Sequence, residues 1–74
     1  MTPTIGRTVR FRMQVQFNGP TIDLAAVISR VNPDGSVNLA VLEDYGVTSG
    51  PHWEGYVHIF QGDGPGCWHW PERV

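Results

Sequence analysis

Val9-Arg10-Phe11-Arg12-Met13-Gln14-Val15-Gln16-Phe17 decides the fold. Apolar residues stand at every odd position and arginine or glutamine at every even one. A period of two places successive side chains on opposite faces, so the stretch reads as a strand with one dry face and one wet face. Asn18-Gly19-Pro20 then turns the chain. Thr21 to Val31 reads as a second strand, because Ile22, Val27, Ile28 and Val31 are β-branched and turn signals flank the run closely. Asn32-Pro33-Asp34-Gly35 is a turn with a mechanism: asparagine suits the first position, proline presets φ, and glycine takes the left-handed position. Ser36 to Leu42 returns as a third strand, with Val37, Leu39 and Val41 alternating against Ser36, Asn38 and Ala40.

Glu43 to Pro51 is polar and glycine-containing, which predicts a loop. Trp53 to Gln61 predicts a fourth strand, with Val57 and Ile59 on one face and Tyr56, His58 and Phe60 on the other. Gly62-Asp63-Gly64-Pro65-Gly66 is a tight connector to a short last strand, Cys67-Trp68-His69-Trp70-Pro71. Short strands joined by turns, with no helical periodicity, predict one all-β domain over residues 1–74. A five-stranded SH3-like barrel is the first expectation and an OB-like barrel the second.

Composition narrows the function. The net charge is −2 and all five cations are arginines: Arg7, Arg10, Arg12, Arg30 and Arg73. Duplex binding draws its affinity from many neutralised phosphates, so a lysine-free acidic chain argues against it. Arginine suits bidentate recognition of a few phosphates or carboxylates. No apolar run approaches the ~18 residues that would span a bilayer. The first residues lack a charged region followed by an apolar stretch, and the single cysteine, Cys67, forms no intrachain disulfide. Those features predict a reducing cytoplasm. At 74 residues the core is marginal, and with neither disulfide nor metal in prospect a homo-oligomer is expected.

Catalytic groups are scarce. Cys67 and His69 lie two apart and share a strand face, but a lone cysteine beside tryptophan is usually a small buried hydrophobe. Glu43-Asp44 is an adjacent carboxylate pair in the expected loop, where neighbours diverge. Among His52, His58, His69 and Cys67, only Cys67-x-His69 is close, and that is not the usual zinc spacing; neither a metal nor a cofactor is expected. The glycines at 62–66 match no phosphate-loop pattern. No catalytic residue is assigned, and an enzyme is not expected.

The aromatic residues carry the binding expectation. On a strand Trp68 and Trp70 share one face and His69 takes the other, with Trp53 and Tyr56 on the preceding segment. Stacking a base on an indole is worth ~1–3 kcal/mol. Arg7, Arg10, Arg12 and Arg73 stand within reach in sequence to hold phosphates. The competing reading is that Trp68 and Trp70 close the barrel or a subunit interface.

Both ends of the chain add a resemblance. Ile5-Gly6-Arg7-Thr8-Val9 and Gly66-Cys67-Trp68-His69-Trp70-Pro71-Glu72-Arg73 resemble a widespread set of short bacteriophage proteins, which open on an IGR-x-V strand and close on G-T-W-H-W-P-E. This chain departs from that pattern at Cys67, where threonine is usual, and at Arg10-Phe11, where His-Tyr is common. The set looks like the compact viral sponges that sequester cyclic nucleotide immune signals of bacterial anti-phage defence. The resemblance implies a protein of the host cytoplasm that binds a cyclic nucleotide or ADP-ribose-like signal in pockets between subunits. The expected contacts are Arg7, Arg10, Phe11, Arg12, Trp53, Tyr56, Trp68, His69, Trp70 and Arg73. A small structural or adaptor protein acting through protein contacts is the alternative, and a single-stranded nucleic-acid binding module the second alternative. An adaptor would co-purify a protein partner, whereas nucleic-acid binding would weaken steeply with salt.

Overall fold

A computed structural model describes residues 2–14, 19–44 and 50–71. Five strands follow one another in chain order: β1 (Thr8–Gln14), β2 (Thr21–Val31), β3 (Val37–Glu43), β4 (His52–Ile59) and β5 (Trp68–His69). All named pairs are antiparallel, and the sheet order is β4-β3-β2-β1-β5. The described residues contain no helix, hence none long and apolar enough to cross a membrane. The second strand has the bounds that its β-branched run predicts. The third and fourth begin or end within two residues of expectation. Val15 and Phe17, at the end of the alternating stretch, lie outside the described residues.

The sheet closes through β5. On one side Trp68 stands opposite Phe11 of β1. On the other, its N–H donates to the Phe60 carbonyl at 3.1 Å and its carbonyl accepts from Gly62 N–H at 2.9 Å. Gln61 and Trp68 form a parallel bridge there. A meander closed by β5 on β1 fits the SH3-like expectation and not the Greek-key order of an OB fold. β4 and β5 are not neighbours in the sheet order, so closure rests on this local contact of residues 60–62 with Trp68.

Inside lie Val9, Phe11, Leu24, Ala26, Ile28, Val37, Leu39, Val41 and Trp68, all buried. Met13, Ile22, Tyr56, Ile59 and Trp70 pack against them. Between β2 and β3 the Asn32 carbonyl accepts from Gly35 N–H at 3.1 Å, and Gly35 adopts φ +91°, as the Asn-Pro-Asp-Gly turn requires.

The face assignment expected for the fourth strand changes partway along it. Leu39 is opposite Tyr56, yet Val37 is opposite Ile59, so β4 carries one extra residue across from Asn38. His58 takes that strain with φ +56°. The bulge turns Ile59 to the core beside Tyr56 and leaves Val57 exposed. A matching irregularity occurs on the other side of β3. Ile28 pairs with Leu39 and Arg30 with Asn38, which makes Ser29 the extra residue of β2.

Trp68 is 1% exposed and closes the barrel by both ring and backbone. Trp68→Ala should cost about 3–5 kcal/mol of stability, a large part of what a small domain possesses. Thermal melts followed by circular dichroism would show a collapsed midpoint, and Trp68→Phe should lie between that variant and the parent.

Candidate functional site

The expected contact residues occupy several different environments among the described residues. Phe11 and Trp68 are core residues, at 3% and 1% exposure. Their rings are spent on the interior because a barrel this small needs large side chains to fill it. Tyr56 is half-buried, its ring 4.9 Å from that of Phe11. Trp70 packs edge-on to Trp68 at 5.1 Å and 86°, with the Arg7 guanidinium 5.8 Å from its ring. Trp53 stands apart on the outer face of β4, 59% exposed and opposite Leu42. Arg10 is exposed on β1 opposite His69. Arg73 lies outside the described residues.

Arg12 and His69 are held by Asp23. Arg12 Nε donates to Asp23 Oδ1 at 2.9 Å and a terminal nitrogen donates to Oδ2 at 3.3 Å. The other terminal nitrogen donates to the Asp63 carbonyl at 2.7 Å, which pins the glycine-rich connector against β1. His69 Nε2 sits 3.3 Å from Asp23 Oδ2. His69 is therefore turned toward a carboxylate, and the thiol–imidazole pairing that Cys67 would need is not formed among the described residues. The hydrogen bond from Arg12 is the main force holding the Asp23 carboxyl below its ordinary value, with the charges of Arg12, His69 and Arg10 adding to it and burial opposing it.

A concavity among the described residues lies elsewhere, at the β2–β3 turn. Arg30, Asn32, Pro33, Asp34, Asn38 and His58 line an open hollow of about 480 Å³. Asn38 organises it from β3, between β2 and β4. Its Oδ1 accepts from Asn32 Nδ2 at 3.0 Å and from the His58 N–H at 3.2 Å, while its carbonyl accepts from Ser29 Oγ at 3.2 Å. One side chain thus fastens the turn and the bulge of β4, and its backbone fastens the bulge of β2. Bulges re-aim side chains, and strained backbone persists only where surroundings impose it.

Ser36, Asp34 and His58 meet at the hollow's edge, but not as a hydrolytic triad. Ser36 is 0% exposed and donates its hydroxyl to Asp34 Oδ1 at 2.6 Å. His58 presents the same Nδ1 to Ser36 Oγ at 3.5 Å and to Asp34 Oδ2 at 3.9 Å. A nucleophile needs an exposed oxygen and a base oriented through its second nitrogen; neither is present. The Ser36 hydroxyl and N–H are what lower the Asp34 carboxyl below its ordinary value. Nδ2 of Asn38 and Oδ1 of Asn32 have no partner among the described residues. With Arg30 they offer a donor, an acceptor and a fixed cation.

Sequence reasoning missed this hollow because Asn32, Pro33 and Asp34 read simply as a turn. The signal available was Asn38, an amide near the start of a strand whose next four residues are apolar. Sequence also placed Glu43 in a loop. It instead ends β3, buried at 8% exposure, and accepts from the Tyr56 hydroxyl.

No protein-family model, curated protein or solved structure matches this chain.

Asp23 gives a pH test. Its folded-state carboxyl titrates below the ordinary value of 3.8, so its contribution to stability is present above that value and is lost as pH falls through the lower folded one. Asp23→Asn should cost about 1 kcal/mol near neutrality, discounted for partial exposure. Denaturant titrations should show the gap between parent and variant narrowing below about pH 4.

Proposed function

We propose that this protein is a non-enzymatic binding protein that sequesters a cyclic nucleotide immune signal, with the hollow at the β2–β3 turn as the seat of the ligand. The observation that carries the reading is the free donor, free acceptor and guanidinium arranged around a volume of about 480 Å³, a size suited to a nucleotide-scale ligand. Asn38 Nδ2 and Asn32 Oδ1 match the donor–acceptor edge of a base. Arg30 matches a phosphate, where a planar fork gives paired charge-assisted bonds. The Asp34 carboxylate stays ionised under its Ser36 hydrogen bonds and opposes a phosphate, so the reading rests on Arg30 to hold one. Ser36, the hydroxyl nearest His58, is enclosed, which supports holding a ligand over cutting it.

The resemblance of the chain's ends to short bacteriophage proteins supports the choice of an immune signal, the host cytoplasm and the role of evading anti-phage defence. Trp70, with Arg7 above it, is the remaining aromatic ledge that combines an indole with a cation. Self-association is assigned to the outer face of β3 and β4, where Leu42 and Trp53 are opposite each other and Val57 is 63% exposed. Exposed apolar rows of this kind are costly unless covered.

The reading is tested by thermal shift with a panel of cyclic dinucleotides, cyclic trinucleotides and ADP-ribose derivatives. One member should raise the melting midpoint strongly, Arg30→Ala should remove most of that response, and heating should release the ligand chemically unchanged. A flat response across the panel overturns it. His58→Gly separates fold from site: relieving the left-handed backbone should raise stability by up to about 1 kcal/mol while weakening the ligand response. Trp53→Glu should lower the molecular mass measured by light scattering if the outer face joins two copies.

A further inference from the structure

The geometry points to a divalent metal site formed by Glu43, His52 and Glu54 at one end of the barrel, with Tyr56 orienting Glu43. All four side chains issue from the same face of adjacent strands. Glu43 and His52 are directly opposite each other, Glu54 is opposite Val41, and Tyr56 is opposite Leu39. Residues 52, 54 and 56 alternate with period two ahead of the bulge, so the sheet itself aims them together.

One ligand atom from each of the three lies within 4.8 Å of the others. His52 Nε2 is 3.2 Å from Glu43 Oε1 and 3.9 Å from Glu54 Oε2. An ion bound at about 2.1 Å to nitrogen and oxygen holds neighbouring ligand atoms roughly 3.0–3.4 Å apart. Glu43 and His52 already meet that spacing, and Glu54, more than half exposed, has only a small inward movement to make.

The charge balance points the same way. The Glu43 side chain is 10% exposed and lies beside the apolar interior, where an ionised carboxylate is costly without a compensating cation. A second carboxylate, Glu54, stands close by and adds to the deficit. Among the described residues no arginine pairs with either, since Arg12 is committed to Asp23 and Arg7 lies over Trp70. The chain has no lysine. The imidazole of His52 is the one nitrogen in the group, and a neutral imidazole with two carboxylates is a donor set suited to a borderline ion such as Zn²⁺. The Tyr56 hydroxyl donates to Glu43 Oε2, which leaves Oε1 for the ion and fixes the carboxylate's orientation. Three protein ligands leave a coordination position for water.

The test is calorimetric titration of chelator-treated full-length protein with Zn²⁺, together with Co²⁺ absorption spectra as a report on the ligand field. The expected result is saturable binding of one ion per chain. His52→Ala and Glu54→Gln should each weaken it by about tenfold or more, and Tyr56→Phe, which keeps the ring on Phe11, by about tenfold. His52 and Glu54 are exposed, so circular dichroism of those variants should match the parent. Cys67→Ala and His58→Ala should leave binding unchanged. Absence of saturable binding would overturn the site. Binding that survives His52→Ala but is lost with Cys67→Ala would overturn it equally.

Discussion

Everything in this molecule depends on Trp68 being inside. A five-stranded sheet with two free edges would leave unpaired backbone on both sides and an open hydrophobic face. The two residues of β5 are too short to form a stable strand alone, yet Trp68 stands opposite Phe11 of β1 while its own N–H and carbonyl bond residues 60–62, and the preceding Gly66 and Cys67 bond Arg12 of β1. Its indole fills the volume thus enclosed. Backbone closure and core filling are the same event, so neither is separable from the other. The Arg12 guanidinium completes the arrangement from outside by bonding Asp23 and the Asp63 carbonyl, so the connector that delivers Trp68 is clamped at the point where it turns.

That constraint decides what is left over for binding. An interior occupied by Trp68, Phe11 and Tyr56 has no large ring to lend to a guest at its centre, which is why the proposed sites lie at the barrel's ends. The β2–β3 turn shows how. Extra residues in β2 and β4 flank the same residue of β3, Asn38, and shift the register on both sides of it. A regular ladder would have kept Arg30 and His58 alternating against the sheet; with the bulges they line a common hollow with the turn. The left-handed backbone at His58 costs energy that a regular strand would not incur, and Asn38 offsets it by accepting the His58 N–H.

Much of the fold was legible because it rests on period-two alternation and on turn chemistry. Val9 to Met13 could bury only one face, the β-branched run of residues 21–31 marked a strand, and Asn-Pro-Asp-Gly fixed the hairpin between the second and third strands. The candidate sites were less legible for physical reasons. A bulge is a single inserted residue with no composition of its own, so the fourth strand gave no sign that Ile59 rejoins Tyr56 on the inner face. Tryptophan content did not say which ring the core consumes, since Trp68 and Trp53 differ only in strand register. The arginines looked alike in a list of cations, but Asp23, three strand positions into β2, reserves Arg12 for structure. Glu43 looked like a loop residue because the polarity of the stretch after it hid the continuation of the strand.

The polar groups that the barrel retains follow the same logic. Glu43, Ser36 and Asn38 all belong to or adjoin β3, a strand paired on both sides by β2 and β4. Polar side chains there survive only with partners, and each has them: Tyr56 and His52 for Glu43, Asp34 and Asn32 for Ser36, Asn32 and the His58 N–H for Asn38. Leucine at position 43 would suit the interior better than a carboxylate whose neighbours include another carboxylate. A small domain with little stability in reserve carries such a group at a cost, and a polar residue kept at a cost is where selection for binding shows through selection for folding. By that argument β3 is the strand from which both of the proposed sites take polar side chains.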